Sequence, residues 1–261
     1  MVIRVQDTTL KPRAFDQQTT IIAHRGFGRG TVDGFQENTL AAFQQAVGCG
    51  VGWLEVDVRR AADGGLFVLH HPSVGTGPFV IDLDSAQLRA AGVLALDDLM
   101  AGIPDDIGLV FDVKTSLEDA LEPAELTTAG LLLPLLARER DRRPMLVTSF
   151  DPAALLLVGE HVPGVARGLL SWLSFPLRKA IPTAAQLGLE AISVHWKSFG
   201  PNTADPAPIH RELSYSLDIA RRAGLQVVAW SPGLARGAEL IAAGVDALIV
   251  DDIPGGLRLS S

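Results

Sequence analysis

Eight short apolar runs, separated by stretches with helical punctuation, limit this chain more than any other property. They lie at Ile21 to His24, Trp53 to Val58, Leu109 to Val113, Met145 to Ser149, Ala166 to Ser171, Ala191 to His195, Gln226 to Trp230 and Ala247 to Val250. Their apolar character is nearly continuous, the pattern of strands covered on both faces rather than of a sheet with one wet side. The stretches between them start and stop as helices do. Asn38 or Thr39 offers an N-cap before Leu40, Phe43 and Val47, and Gly48 and Gly50 follow as terminators. Asp84 and Gln87 have the form of a capping box, and Ala223-Gly224 and Ala243-Gly244 end two helices just before strands. Eight strands each followed by a helix predict a TIM (β/α)8 barrel over an open doubly wound sheet, and 261 residues suit one such domain spanning 1–261. A piece from Leu66 to His70, after the turn Asp63-Gly64-Gly65, predicts a small hairpin inserted after the second strand.

In such a barrel the chemistry sits at the C-terminal ends of the strands. His24 ends the first run, Glu55 and Asp57 the second, Asp112 and Lys114 the third, Ser149 the fourth, Ser171 the fifth, His195 the sixth, Trp230 the seventh and Asp251 the eighth. Glu55 and Asp57 are two apart on a strand, so the pleat points both carboxylates to one face while Leu54, Val56 and Val58 pack on the other. Like charges held together need an offset, either a hard cation such as Mg²⁺ or Ca²⁺ or an adjacent Lys or Arg. Asp112 and Lys114 repeat the spacing, so an acid and an amine also share a face. His24, followed at once by Arg25 and Gly26, suits a loop that handles an anion.

Several function classes are excluded or made unattractive by composition. A formal net charge of −8 disfavours a nucleic-acid surface. It does not forbid an anionic substrate, because a cation and a few basic groups reverse the sign locally. Cys49 is the sole cysteine, so an intrachain disulfide and a thiolate metal site are both ruled out. Met1 to Thr20 carries Arg, Asp and Lys without a continuous apolar run, which does not read as a signal peptide. The Leu-rich 131–136 segment, broken by Pro134 and followed by Arg138, Glu139 and Arg140, does not read as a membrane span. The expected setting is cytoplasmic. Gly26, Gly28 and Gly30 imitate a nucleotide phosphate loop but lack the helix that should follow.

The ordered set His24-Arg25-Gly26, Glu37-Asn38-Thr39-Leu40-Ala41-Ala42-Phe43, Leu54-Glu55-Val56-Asp57-Val58, Ala62-Asp63-Gly64 and Val68-Leu69-His70 resembles the signature of the glycerophosphodiester phosphodiesterases. Thr148-Ser149-Phe150, Val228-Ala229-Trp230 and the run from Gly244 to Asp251 are similar to that family's later strands. The resemblance implies a TIM barrel that uses a divalent cation, commonly Mg²⁺ or Ca²⁺, to hydrolyse glycerophosphodiesters to an alcohol and glycerol 3-phosphate. It also implies metal ligation by Glu55 and Asp57, with Asp112 on the third strand, an acid and base pair of His24 and His70, and a phosphate contact from Arg25. Which histidine is the acid is left open, as is whether a glycerol hydroxyl or water attacks. Lys114 would hold a phosphate oxygen as a point charge, His195 would be a pocket or wall residue, and Trp230 an apolar wall for the glycerol or head group.

Three departures from the family pattern stand out. Phe111-Asp112-Val113-Lys114 carries Asp where the relatives have Glu, so the cation sits nearer that strand or a water bridges the gap. His71 follows His70 where Asp is usual, and Gln36 precedes Glu37 where Pro is common. The alternatives are a phospholipase D or lysophospholipase D type of phosphodiesterase, and a barrel that binds a phosphodiester without turnover. Away from the motifs, His161 and His210 read as solvent-exposed, and Trp53 and Trp172 as core. Phe27, Phe35 and Phe79 either line a mouth for a lipid-like group or pack the loops.

Overall fold

The computed structural model describes residues 11–16 and 18–260. Eight parallel strands form the barrel: β1 (Thr20–Ala23), β2 (Trp53–Arg60), β3 (Gly108–Val113), β4 (Met145–Ser149), β5 (Ala166–Leu170), β6 (Ala191–His195), β7 (Gln226–Trp230) and β8 (Ala247–Val250). They pair in chain order, and the sheet closes because β1 bonds both β8, with Ile22 beside Ile249, and β2, with Ala23 beside Leu54. The helices are α1 (Leu40–Gly48), α2 (Ser85–Ala90), α3 (Leu96–Gly102), α4 (Thr128–Glu139), α5 (Pro152–His161), α6 (Leu177–Gln186), α7 (Leu213–Arg222), α8 (Leu234–Ala243) and α9 (Ile253–Leu259). The TIM barrel expected from the eight runs is the fold observed.

Local sequence explains where these elements begin. Thr39 rather than Asn38 caps α1, its side chain accepting from the Ala42 amide, and the helix buries Ala42, Phe43 and Ala46. Full burial of a side chain such as Phe43 is worth about 1.5–3 kcal/mol. Asp84 and Gln87 form the capping box of α2. Asp151 caps α5 with Pro152 in its first turn, and Asp252 does the same for α9 ahead of Pro254. Pro134 does not break its segment but lies inside α4. The helix runs through it because buried Leu132, Leu135 and Leu136 hold both sides of the proline against the barrel.

The insertion after the second strand is larger than a hairpin. β2 runs beyond the barrel to Arg60, Leu66–Val68 pairs antiparallel with its end, and Leu94–Ala95 pairs with that strand in turn. The first loop carries a hairpin of its own, Thr31–Val32 with Phe35–Gln36.

Two packed layers result. Leu54, Val56, Val58, Phe111, Val113 and their counterparts face the helices. The alternate residues Ile22, Val110, Leu146, Ala166, Ala191, Val228, Ala247 and Ile249 fill the barrel. At the N-terminal end Phe15 closes the barrel against Trp53, with ring centroids 4.9 Å apart. Gln226 clasps that segment: its Oε1 accepts from the Ala14 and Phe15 amides, and its Nε2 donates to the Phe15 carbonyl. Gly108 makes room for Trp53, since a Cβ there would lie 2.4 Å from the indole. The expectation about Met1 to Thr20 falls largely outside the described residues.

Two expectations about single residues are corrected. Trp172 is not core but 68% exposed, because it lies in the loop after β5 at the open end of the barrel. The His210 side chain is largely buried, 3.5 Å from the carboxylate of buried Asp205, although His161 is exposed as expected. Phe27 and Phe35 pack edge-on at 5.5 Å within the first loop, while Phe79 is exposed. Among the described residues no helix is long and apolar enough to cross a membrane.

Candidate active site

The C-terminal mouth of the barrel contains a cavity of about 70 Å³ lined by His24, Arg25, Glu55, Asp57, His70, Asp112, Lys114, Thr148, Phe150, Leu170, Trp230 and Ile249. The pleat decides this membership. Glu55 and Asp57 follow Trp53 on the inward side of β2, and Asp57 stands beside Asp112 in the β2–β3 register. The same alternation sends Thr148 into the cavity and turns Ser149 away, so that the Ser149 hydroxyl donates to the Val113 carbonyl. Leu170 likewise faces the cavity instead of Ser171. Trp230 lines it, and His195 stands behind Trp230 with ring centroids 4.4 Å apart. Burial, with Lys197 and Arg29 nearby, pushes the His195 imidazole down to about 4. Phe150 continues outward by stacking on Trp172 at 4.4 Å.

The loop after β1 is folded over this mouth. Gly28 approaches so closely that a Cβ would lie 2.3 Å from the Asp251 carbonyl, and its φ of +111° suits only glycine. Arg25 also takes a left-handed backbone, with φ 52°, an uncommon conformation for a large side chain. That turn aims the Arg25 amide at Glu55 Oε2, 3.0 Å away. The Arg25 guanidinium donates from Nη1 to both oxygens of Glu37 at 3.2 Å, and its Nε lies 3.4 Å from Asp57 Oδ2. Asn38 donates to Asp57 Oδ2 at 3.1 Å.

His24 is held from behind by Asp251, with Nδ1 and Oδ1 2.7 Å apart. Burial raises the Asp251 carboxyl, but the His24 bond and the charges of His24 and Arg29 outweigh it and leave the group below its ordinary value. An ionised carboxylate only accepts, so the proton lies on His24 Nδ1 and Nε2 faces the cavity, 4.0 Å from Glu55 Oε2. Asp251, Glu37 and Asn38 hold the site together, although the sequence placed Asp251 only among the strand ends, with no task, and gave Glu37 and Asn38 no site role. The signals were present: Asp251 follows the eighth run, and Glu37 and Asn38 open the Glu37-Asn38-Thr39-Leu40-Ala41-Ala42-Phe43 motif. Side-chain pairing across more than 200 residues, as between His24 and Asp251, leaves no local pattern.

Glu55, Asp57 and Asp112 are all buried, and they offer ligand oxygens that lie within 4.8 Å of one another. Burial and repulsion from Asp57 and Asp112 push Glu55 well above the ordinary carboxyl range. Burial also raises Asp112, although Lys114 opposes it. Asp57 goes the other way: burial would raise it, but Lys114 and Arg25 prevail and hold it low. Lys114 bonds Asp112 Oδ2 and lies 3.0 Å from Asp57 Oδ1. Burial works against its charge, yet Asp112, Asp57 and Glu55 raise it overall. His70 is pushed down to about 3 by burial, with Arg25, Lys114 and His71 adding to the effect against Asp57.

Arg25 and Lys114 thus keep Asp57 ionised but do not prevent burial and mutual repulsion from raising Glu55 and Asp112. Asp112 Oδ1 is buried with no hydrogen-bond partner. An unpaired carboxylate oxygen beside two further acids, all hard oxygen donors, fits a divalent cation such as Mg²⁺ or Ca²⁺. The shorter Asp112 side chain still reaches the cluster.

A TIM barrel whose mouth joins an acidic cluster, two histidines and an Arg–Lys pair is that of a phosphodiesterase. The chain belongs to the glycerophosphoryl diester phosphodiesterase family, whose model matches residues 24–254. It is 27% identical over 253 residues to the glycerophosphodiester phosphodiesterase of Caldanaerobacter subterraneus subsp. tengcongensis, covering 90% of this chain and 95% of the relative. Solved structures share the fold. A phosphodiesterase of Oleispira antarctica, in complex with the product sn-glycerol-3-phosphate, aligns with TM-score 0.74 and 20% identity over 93% of this chain and 96% of that one. A glycerophosphodiester phosphodiesterase of Thermotoga maritima aligns with TM-score 0.69 and 20% identity over 94% and 99%.

Proposed function

We propose that this chain, acting as a single 1–261 domain in the cytoplasm, hydrolyses glycerophosphodiesters to an alcohol and glycerol 3-phosphate with a divalent cation, Mg²⁺ or Ca²⁺, and with His24 and His70 moving the protons. The observation that carries this reading is the meeting of the Glu55–Asp57–Asp112 cluster with both histidines in one cavity. Glu55, Asp57 and Asp112 would hold the cation. When bound, it polarises a phosphoryl oxygen and offsets charge that develops in the transition state.

The chain's own residues do the rest. Arg25 and Lys114 face the cavity and draw the phosphodiester anion to it, the arginine by directed N–H groups and the lysine as a point charge. Trp230 and Phe150 give the glycerol an apolar wall, with His195 bracing the indole. His70 faces the same cavity as the acidic cluster and is placed to take the proton of the attacking oxygen. His24 would enter the step with a proton on each ring nitrogen, its imidazolium stabilised by Asp251 at Nδ1, and would give the Nε2 proton to the departing alkoxide, while the proton taken by His70 passes to solvent. Each proton transfer typically contributes about 10²- to 10⁴-fold.

The test is release of alcohol from several glycerophosphodiesters, with EDTA and with Mg²⁺, Ca²⁺ or Mn²⁺ restored. Activity that disappears with EDTA and returns with the cation is expected. No metal-dependent release from any of them would sink the reading. Glu55→Gln should weaken the cation titration, and an unchanged titration would remove Glu55 from the ligand set.

A further inference from the structure

His70 lies where the ordinary means of holding a residue run out. The antiparallel ladder of the insertion ends at the Val58 and Val68 pair, and the Leu69 amide donates to the Asp57 carbonyl at 3.2 Å. His70 is the next residue, outside any strand. Its ring Nδ1 is buried without a hydrogen-bond partner, and the ring meets His71 edge-on at 4.9 Å. Among the described residues, the hydrogen bonds that fix His70 come from one side chain. Arg59 donates to the His70 carbonyl from Nε at 3.1 Å and from Nη2 at 2.7 Å.

We propose that Arg59 is a positioning residue for the reaction, a clamp that sets the height of His70 above the acidic cluster; this rests on the reading of His70 as a proton-transfer group. The pleat makes the clamp possible. Trp53, Glu55, Asp57 and Arg59 form the inward row of β2, so the strand that carries two of the acids also carries the guanidinium that holds the histidine. The distance between acid cluster and imidazole is thereby set within one strand and its immediate partner. Two N–H groups converging on one oxygen fix direction as well as distance, which a lysine ammonium cannot reproduce. Arg59 also borders a second cavity, about 430 Å³, between the segment around Phe79 and the one around Ser116, and a small planar cation can enter there.

The test measures five proteins at saturating cation: wild type, Arg59→Ala, Arg59→Lys, His70→Ala and the Arg59→Ala/His70→Ala double variant that closes the cycle. Displacement of a catalytic group by about 1 Å costs up to ~100-fold, so Arg59→Ala should lower kcat ~10- to 100-fold while KM and the cation titration stay within about threefold. Arg59→Lys should fall between, and guanidinium ion at millimolar levels should restore part of the Arg59→Ala loss. In the His70→Ala background the second substitution should cost nothing further, because its effect passes through His70.

An unchanged kcat in Arg59→Ala overturns the proposal. So does a full additional loss in the double variant, or a loss that guanidinium leaves untouched while KM and cation affinity worsen alongside. If His70→Ala alone keeps wild-type turnover, the catalytic reading of His70 fails first and takes the clamp with it. If His70→Ala is inactive and Arg59→Ala is not impaired, only the clamp fails. Should Arg59→Ala not fold, Arg59→Lys and Arg59→Gln carry the same comparison.

Discussion

Replacing Asp251 by Asn examines the pairing that directs His24. The carboxylate lies 2.7 Å from His24 Nδ1 and also accepts from the Arg29 amide at 3.1 Å, with the Arg29 guanidinium 3.5 Å away. Asparagine keeps the shape and removes the charge. Its oxygen can still accept from Nδ1–H, but its NH2 group is then turned toward Arg29, and the alternative orientation forces the wrong tautomer on His24. A hydrogen bond to a charged group is worth about 1.5–3 kcal/mol, which at about 1.4 kcal/mol per decade corresponds to a ~10- to 150-fold loss. The Asp251 side chain is 31% exposed, so solvent screening places the expected loss in the lower half of that range. The loss should fall on kcat, because Asp251 does not line the substrate cavity. Initial rates of alcohol release at saturating cation, followed across substrate concentration, give both parameters. A variant within about threefold of wild type would refute the orienting role of Asp251, as would a loss confined to KM.

Other consequences can be measured directly. Because Glu55 is pushed up, it carries a proton in the cation-free protein below its shifted value, and a cation must displace that proton. Cation affinity should therefore rise with pH, and calorimetry in buffers of different ionisation heat should show proton release; zero release would contradict the protonated Glu55. Gly28→Ala puts a methyl group 2.3 Å from the Asp251 carbonyl at a left-handed φ, and should cost about 1–3 kcal/mol in thermal unfolding together with activity, whereas an unaltered melting curve would show that the loop has room. His70→Ala should lose orders of magnitude in turnover with little change in melting temperature. If His71→Ala loses activity and His70→Ala does not, the two adjacent imidazoles exchange roles.

The barrel was legible because each strand is buried on both faces and so writes itself as a continuous apolar run. Met145 to Ser149 and Gln226 to Trp230 were bounded to the residue. The acids were legible too, since Glu55, Asp57 and Asp112 obey the period of a strand. What escaped depends on the third dimension. Whether Ser149 or Thr148 faces the cavity is a matter of pleat phase at the strand end, and a run apolar on both sides does not state its phase. Asp251 and Glu37 act on His24 and Arg25 through loops folded across the mouth, held there by Gly28 and by the left-handed turn at Arg25. Trp172 reads as core in any scale of residue burial, and only its place after β5 puts it in solvent.

The clasp of Gln226 on Phe15 has a consequence for where this protein can be cut. The family model begins at residue 24, yet β1 starts at Thr20 and the aromatic stopper beneath it lies at Phe15. A chain trimmed to the shared boundaries would keep every acid, histidine and arginine of the mouth and lose the cork at the opposite end. Trp53 would then meet water, and the amide of Gln226 would lose Ala14 and Phe15 and keep Asp246 Oδ1, 3.3 Å from its Nε2. Trp53 stands two residues below Glu55 on the same inward row of β2. The level of the first metal-ligand candidate is thus anchored from the foot of the barrel by Ala14 and Phe15, which belong to no strand or helix of the repeat.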